Sequence, residues 1–293
     1  MRNLLDAPPN HVSINDNNQK QKELLHKAIM NIITSKQTKT KNHHRLILYC
    51  SVLLLATFIV SVGIFAYVEN STNNKVPYLN SQYQIFNLRG DVIDTWLTWR
   101  IVKGDPFHVN LYDSELITDE IIDGISDVVM SLETVDIDDS LLHKGPVGKS
   151  STYYKGWNGA LNSISSDTFF PLPYSLQFHV TDRDEGQILI KLTEKSSPDG
   201  YSGYTTSLVD QSTNQILKST ITIYNADKLS IEELKTMVRH ELGHGFGLAH
   251  SSAPEDLMHQ EIKTEYPYIS DCDISAIENL YDNSQESRVV CKI

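Results

Sequence analysis

The segment His-Glu-Leu-Gly-His-Gly-Phe-Gly-Leu-Ala-His at residues 240–250 constrains the fold of this chain more than any other feature. His240 and His244 are four residues apart, so on a helix their side chains lie one turn apart on the same face. Gly247 has no Cβ atom and can end that helix in a sharp turn, which would bring His250 back toward the other two histidines. The sequence therefore predicts a helix, a glycine turn and three imidazoles that meet at one point.

The helix has its own start signal. Ser230 and Glu233 form an S-x-x-E capping box directly before the periodic run. The apolar residues that follow at helical spacing are Ile231, Leu234, Met237, Val238 and Leu242. Core packing explains this helix but gives no reason for the histidines at its end.

Three neutral imidazoles at this spacing are suitable ligands for one Zn²⁺ ion, at roughly 2.0–2.1 Å each. Three protein ligands leave one coordination position open, which is the pattern of a catalytic zinc rather than a structural one. Glu241 would sit beside the ion, where it could take a proton from zinc-bound water. The pentapeptide alone could also be a helix with two surface histidines, but the longer spacing HExxHxxGxxH, with Met258 downstream, disfavours that reading.

The segment resembles the active site of metzincin metallopeptidases and, among them, of the matrixins. Ser251, directly after the third histidine, is the residue type that resembles matrixins at this position. Asp273–Tyr281 is similar to the last helix of their catalytic domains. The resemblance is specific over residues 230–282 and loose from residue 94 onward. It implies that His240, His244 and His250 are zinc ligands, that Glu241 is the general base, and that Met258 is the Met-turn residue beneath the metal.

Several features depart from the matrixin pattern. His259-Gln260 follows Met258 where matrixins usually have Tyr-Pro, which changes the pocket beyond the scissile bond. No Pro-Arg-Cys-Gly segment precedes the domain, so latency through a cysteine ligand has no sequence support. A His-x-Asp cluster for a second zinc is not evident. Residues 197–200 have the composition of a turn, so Ca²⁺ has no support either.

Charge and hydropathy divide the chain into a basic N-terminal segment, an apolar run and an acidic C-terminal part. The formal net charge is −12, yet residues 1–45 carry eight Lys/Arg against three Asp/Glu, whereas residues 69–293 carry seventeen against thirty-four. The acidic part argues against nucleic acid as a partner. Residues 46–68 form an uncharged run of 23 residues, long enough to cross a bilayer as one helix. The basic residues before it predict a cytoplasmic N-terminus and an outer C-terminal domain at the cell membrane.

An uncleaved signal anchor fits this run better than a cleaved signal peptide, whose apolar core is shorter and begins earlier. The cytoplasmic tail, residues 1–45, is polar except for an amphipathic stripe over residues 24–33. That stripe predicts either a short marginal helix, which we favour, or a helix on a membrane or partner surface. Residues 69–90 read as a stalk, with a formal glycosylation sequon at Asn70.

The folded domain is predicted at residues 91–285, with a tail at 286–293. Periodicity predicts a strand at 95–102, a helix at 118–132, and further strands at 175–181, 187–192 and 216–224. Residues 135–173 are poorly patterned and read as a long excursion, in which Tyr153, Tyr154 and Trp157 suit a satellite hydrophobic cluster better than a substrate groove. The expected class is α+β, a metzincin-like catalytic domain with a mixed twisted sheet, an active-site helix and a C-terminal helix, behind a single transmembrane helix.

Cysteines and the other histidines carry weaker signals. Cys50 lies in the apolar run, and Cys272 and Cys291 could form a disulfide that pins the C-terminal tail. The histidines outside the motif are isolated and read as structural, although His259 could approach the site because it follows Met258.

These patterns predict a zinc-dependent endopeptidase that hydrolyses peptide bonds of extracytoplasmic proteins. An edge strand within residues 203–224 would hold the substrate in an extended conformation by backbone pairing, as relatives do. Two other classes stay open: a zinc-containing module that binds peptides without cutting them, and a membrane-tethered adhesion protein. The intact Glu241 argues against the first, and Met258 argues against the second.

Overall fold

The computed structural model describes residues 22–32, 79–92, 97–284 and 287–290. The chain divides into two units, Met1–Lys75 and Val76–Ile293, and each is described by itself. In the first unit, residues 22–32 form helix α1, as the amphipathic pattern predicts, and its apolar side chains Leu24, Leu25 and Ile29 are exposed.

The predicted membrane span at residues 46–68 lies outside the described residues, as does the sequon at Asn70. None of the described helices combines the length and the apolar composition needed to cross a membrane. The span therefore stays a prediction from the sequence.

A mixed eight-stranded sheet is the centre of the second unit. The strands described in this unit are β1 (Leu79–Asn87), β2 (Thr98–Trp99), β3 (Phe107–Tyr112), β4 (Thr134–Asp138), β5 (Ser150–Tyr154), β6 (Leu176–Thr181), β7 (Ile188–Leu192), β8 (Gly203–Asp210), β9 (Gln215–Ile223) and β10 (Glu261–Ile262). The sheet order is β10-β1-β8-β9-β7-β3-β6, with β2 beside β9, while β4 and β5 form a separate antiparallel ribbon. Neighbouring strands of the sheet run parallel except in the pairs β8–β9 and β1–β10.

The α-helices described in this unit are α2 (Asp119–Met130), α3 (Trp157–Ser163), α4 (Ile231–Gly245) and α5 (Asp271–Tyr281). Helix α4 lies against β1, β8, β9 and α2, so its buried face closes the main core. At the centre of the sheet, Ile188, Leu189 and Ile190 of β7 are fully buried, which shows that both sheet faces are covered there. This mixed α+β architecture fits the expected class.

Most elements lie where the periodicity predicts them. The helix predicted at 118–132 is α2, and the strands predicted at 175–181, 187–192 and 216–224 are β6, β7 and β9. Of the strand predicted at 95–102, the described residues 97–102 contain only β2. The excursion at 135–173 is more ordered than predicted, because it contains the β4–β5 ribbon and α3. Tyr153 lies in a satellite cluster as expected, whereas Trp157 is part of the main core.

The stalk prediction at residues 69–90 is wrong for its described part. Leu79–Asn87 is strand β1, paired with β8 over seven residues from Ser81 to Asn87. Its sequence is mostly polar and looked like a linker, but backbone pairing does not depend on side-chain polarity. Every second residue points inward, and Leu79, Ser81 and Ile85 are buried.

The prediction of a free edge within residues 203–224 is also wrong. Strand β8 is flanked by β9 on one side and by β1 on the other, so its backbone is already paired on both sides. The position at which an extended substrate was expected therefore holds a strand of the same chain.

Candidate metal centre

Helix α4 positions the first two histidines and the carboxylate between them. The Ser230 hydroxyl accepts from the Glu233 backbone N–H, and the Glu233 carboxylate accepts from the Ser230 backbone N–H, which completes the predicted capping box. Thirteen residues of regular helix from Glu233 to Gly245 carry His240, Glu241 and His244 into the core. All three side chains are buried, and Glu241 and His240 have no exposed surface.

A glycine turn returns the third histidine. Helix α4 ends at Gly245, and Gly247 adopts φ = 104°, in the left-handed region that favours glycine. A Cβ atom at Gly247 would lie 2.1 Å from the Leu97 carbonyl oxygen, so no other residue fits without a backbone shift. The Leu248 N–H then donates to the Gly243 carbonyl at 3.0 Å, and the chain turns back toward the helix.

The three imidazoles meet as predicted. The Nε2 atom of His244 lies 3.1 Å from Nε2 of His240 and 3.1 Å from Nε2 of His250. Two nitrogens bound to one Zn²⁺ at 2.0–2.1 Å in tetrahedral geometry would be about 3.3–3.4 Å apart, so the observed spacing suits a single ion. Within the described part of the chain, these three residues are the one group of His, Cys, Asp or Glu side chains arranged to hold a metal.

The hydrogen bonds of the outer ring nitrogens select the tautomer that a metal needs. His240 Nδ1 lies 2.7 Å from the Leu257 carbonyl and His244 Nδ1 lies 2.7 Å from the Leu248 carbonyl, so in the neutral rings both Nδ1–H groups donate outward. The Nε2 lone pairs then face one another at 3.1 Å without a proton between them, which is unfavourable unless a cation lies among them. The donor set therefore fits a zinc ion.

Burial keeps these rings neutral. It lowers the pKa of His240 to about 3 and that of His250 to about 4, and the pKa of His244 is also well below its usual value. The charges that the neighbouring histidines would carry add to this shift, since like charges in one site oppose protonation. Neutral imidazole is the form that binds metal, so the site is prepared for an ion at neutral pH.

The segment around Met258 packs against helix α4 and orients one of its histidines. Met258 is fully buried, and a Cβ atom at Gly243 would lie 2.3 Å from its sulfur, so the helix and this turn are in close contact. The preceding residue, Leu257, supplies the carbonyl that orients His240. The Met258 N–H donates to the buried Asp256 carboxylate at 2.8 Å, which fixes the turn.

Both carboxylate oxygens of Glu241 accept hydrogen bonds from hydroxyl groups. The Ser81 hydroxyl of β1 donates to Oε1 at 2.5 Å, and the Thr205 hydroxyl of β8 donates to Oε2 at 2.6 Å. Gly203 leaves room for the carboxylate, since a Cβ atom there would lie 2.3 Å from Oε1. Burial raises the pKa of Glu241 to about 8, and the two hydroxyl donors oppose that rise. A bound divalent cation would lower it again.

Four residues of this environment were not found from the sequence: Ser81, Tyr83, Gly203 and Thr205. The Tyr83 ring lies 4.6 Å from the His244 ring and 5.4 Å from the His250 ring, measured between centroids. Ser81 and Tyr83 were assigned to the stalk, although the alternation of residues 79–87 is a signal that could have revealed the strand. The roles of Gly203 and Thr205 have no local signal, because they follow from the packing of β8 on α4.

The remaining candidates do not join the three histidines. His259 is near enough to oppose protonation of His250, but its Nδ1 lies 2.9 Å from the Glu261 carbonyl. Cys272 is disulfide-bonded, and its partner lies outside the described residues, as does Cys291, so the predicted pairing stays a prediction.

Comparison with known proteins agrees with this geometry. The family model of the matrixins matches residues 146–282, a range that includes α4, all three histidines, Met258 and α5. A search of curated proteins finds no match to the chain. The family match over residues 146–282 and the histidine cluster are together consistent with a matrixin-like metzincin catalytic domain, and they support a zinc metallopeptidase in general.

Proposed function

We propose that this protein is a zinc-dependent endopeptidase in which His240, His244 and His250 hold the ion and Glu241 is the general base. One observation carries the proposal: three imidazole nitrogens converge on one point, and the helix that supplies two of them also carries the fully buried carboxylate of Glu241. Zinc bound there would polarise the scissile carbonyl and make a water molecule more acidic.

The protein groups around the centre suit proton transfer by Glu241. Thr205 holds Oε2 in place, so Oε1, which accepts from the Ser81 hydroxyl in this structure, is the oxygen that would accept a proton from water and pass it to the leaving amine once Ser81 is displaced. The buried surroundings strengthen each of these interactions because little water competes with them.

The substrate in this proposal is an extended polypeptide lying beside β8. Backbone pairing is indifferent to side chains, so selectivity would come from the pocket near His244 and from the His259-Gln260 segment. The charge pattern around residues 46–68 supports a single-pass anchor with the catalytic domain outside the cell membrane, and so substrates of the same compartment.

The test compares the zinc-loaded full chain with its Glu241→Gln variant. Gln keeps the shape of the side chain but cannot accept the proton, and general bases contribute typically 10²–10⁴-fold to rate. We expect one zinc per chain in both proteins and at least a hundredfold lower hydrolysis of a mixed peptide library by the variant. Glu232→Gln on the exposed face of α4 is the matched control.

Measurable hydrolysis at the same rate by the natural chain and by Glu241→Gln would contradict the role of Glu241. Stoichiometric zinc without hydrolysis in any form of the protein, including the form with β1 released that is described below, would favour a peptide-binding module instead.

A further inference from the structure

Strand β1 lies where a peptide held by this centre would have to lie. It runs between β8 and β10, in parallel pairing with the first and antiparallel pairing with the second. The Ser202 N–H donates to the Asn80 carbonyl at 2.8 Å, and the Ser81 N–H donates to the Gln260 carbonyl at 3.1 Å. The strand is therefore bonded through its backbone on both sides, in the manner of an extended peptide added to a sheet.

The inward side chains of β1 cover the reactive groups. Ser81 donates to Oε1 of Glu241, the oxygen that the proposed proton transfer requires. Two residues later, Tyr83 places its ring against the rings of His244 and His250. These two contacts block the general base and the metal ligands at the same time.

The described cavity beside these contacts is small. The cavity that touches both Tyr83 and His244 has a volume of about 10 Å³. That is about the space of one water molecule, whereas ligand pockets measure about 300–1,000 Å³. A polypeptide therefore does not fit between Tyr83 and His244 while β1 is in this position.

We propose that β1 is an intramolecular inhibitory strand, which fills the substrate groove between β8 and β10 and keeps the enzyme latent until it is displaced. The inference rests on the proposed peptidase function. It requires no cysteine, because Leu79–Asn87 contains none. The strand is joined to the rest of the domain through an exposed turn at residues 88–92, in which Gly90 has φ = 87°.

The covalent attachment of β1 determines how strongly it competes with a peptide substrate for the groove between β8 and β10. A strand tethered by a short turn has an effective concentration on the order of millimolar. Cutting the turn makes the same contact bimolecular, so dilution to nanomolar protein lowers the competing concentration by several orders of magnitude. A cut followed by dilution should therefore release the groove without changing the metal ligands.

The experiment inserts a recognition sequence for a site-specific protease between Arg89 and Gly90 of the full chain. The control carries the same insertion between Asp182 and Arg183, in an exposed loop between β6 and β7. Both proteins are loaded with zinc, cut, diluted and assayed with a quenched fluorescent peptide. We expect at least tenfold faster hydrolysis after cutting at Arg89, no change after cutting the control, and equal zinc content throughout.

A binding measurement provides a second readout that does not need activity. The probe is a fluorescent peptide with the sequence of Leu79–Asn87, followed by anisotropy. We expect it to bind the cut protein and not the uncut one, and a probe with Ser81→Ala and Tyr83→Ala to bind at least tenfold more weakly. In the uncut chain, Tyr83→Ala should raise hydrolysis, whereas Gln82→Ala, on the opposite face of the strand, should not.

The outcomes separate this inference from the proposed function. If the probe binds only the cut protein but no form hydrolyses peptides, β1 occupies the groove and the peptidase proposal fails. If the uncut chain hydrolyses peptides as fast as the cut one, or if the probe binds both forms equally or neither, β1 is a permanent part of the sheet and the inhibitory role is wrong.

Discussion

Glu241 of α4 is held by groups from two strands, β1 and β8, so its properties depend on how these elements pack. Thr205 and Ser81 donate to its two oxygens, and Gly203 leaves the space that it occupies. Of these, Thr205 lies on β8 and not on β1, so the displacement proposed for β1 would not remove it. We therefore expect Thr205 to position the proposed base rather than to react itself.

Thr205→Val tests that positioning role. The substitution keeps the shape of the side chain but removes the donor, and hydrogen bonds to charged groups contribute about 1.5–3 kcal/mol. We expect kcat/KM to fall roughly tenfold to a hundredfold, since about 1.4 kcal/mol corresponds to a factor of ten. Because the Thr205 bond lowers the pKa of Glu241, the acid limb of the pH–rate profile should also move to higher pH. Thr205→Ser keeps the hydroxyl, and a similar loss in that variant would contradict the assignment.

The pH dependence of stability tests the burial of Glu241 without any catalysis. Its folded pKa of about 8 lies above its usual value of 4.5, so its protonated form is favoured in the folded state. Stability from this group is complete below pH 4.5 and is lost as the pH rises through 8. In metal-free protein, Glu241→Gln should become progressively more stable than the natural chain between pH 5 and 9. A difference in unfolding free energy that stays constant over this range, measured by urea titration, would show that the carboxylate is not buried as described.

At the scale of the elements, the turn after α4 decides whether the third histidine reaches the site. Gly247 combines a left-handed backbone with close contact to the Leu97 carbonyl, whereas Gly200 has a similar φ of 81° with open space around it. Substitution of Gly200 therefore tests backbone strain alone, whereas substitution of Gly247 tests backbone strain together with a steric clash.

Gly247→Ala and Gly200→Ala form a matched pair. The left-handed conformation alone costs roughly 1–2 kcal/mol for a residue with a Cβ atom, so Gly200→Ala should lose about that much stability. Gly247→Ala adds a clash with backbone and should lose several kcal/mol together with stoichiometric zinc binding. Denaturant unfolding and metal analysis check both variants, and equal losses in the two would refute the steric argument.

Some of these elements could be predicted from the sequence, and others could not. Helix α4, its capping box and the glycine turn were predictable because cap residues, periodicity and glycine chemistry are local signals. The convergence of His240, His244 and His250 followed from the same spacing. Strand β1 was missed because its polar composition hid a period-2 pattern, and its pairing partner β8 lies about 120 residues away along the chain. The ordering of Ser81, Gly203 and Thr205 around Glu241 depends on that long-range pairing, which no local signal reports.

In the whole molecule, metal binding should be coupled to folding. The three histidines come from α4 and from the turn behind it, and an ion that binds only the folded state stabilises it. At zinc concentrations a thousandfold above Kd the gain is about 4 kcal/mol. We expect a chelator to lower the melting temperature by several degrees and His250→Ala to reduce that difference. A melting temperature that does not respond to chelator would contradict a metal centre within the fold.

The most direct test of the central claim is zinc K-edge X-ray absorption on the full chain loaded with one equivalent of zinc. The account predicts one tightly held ion with three imidazole nitrogens at roughly 2.0–2.1 Å. In His250→Ala the spectrum should show two imidazoles. A sulfur ligand, fewer than three imidazoles in the natural chain, or no retained zinc would contradict the metal centre on which the proposed peptidase depends.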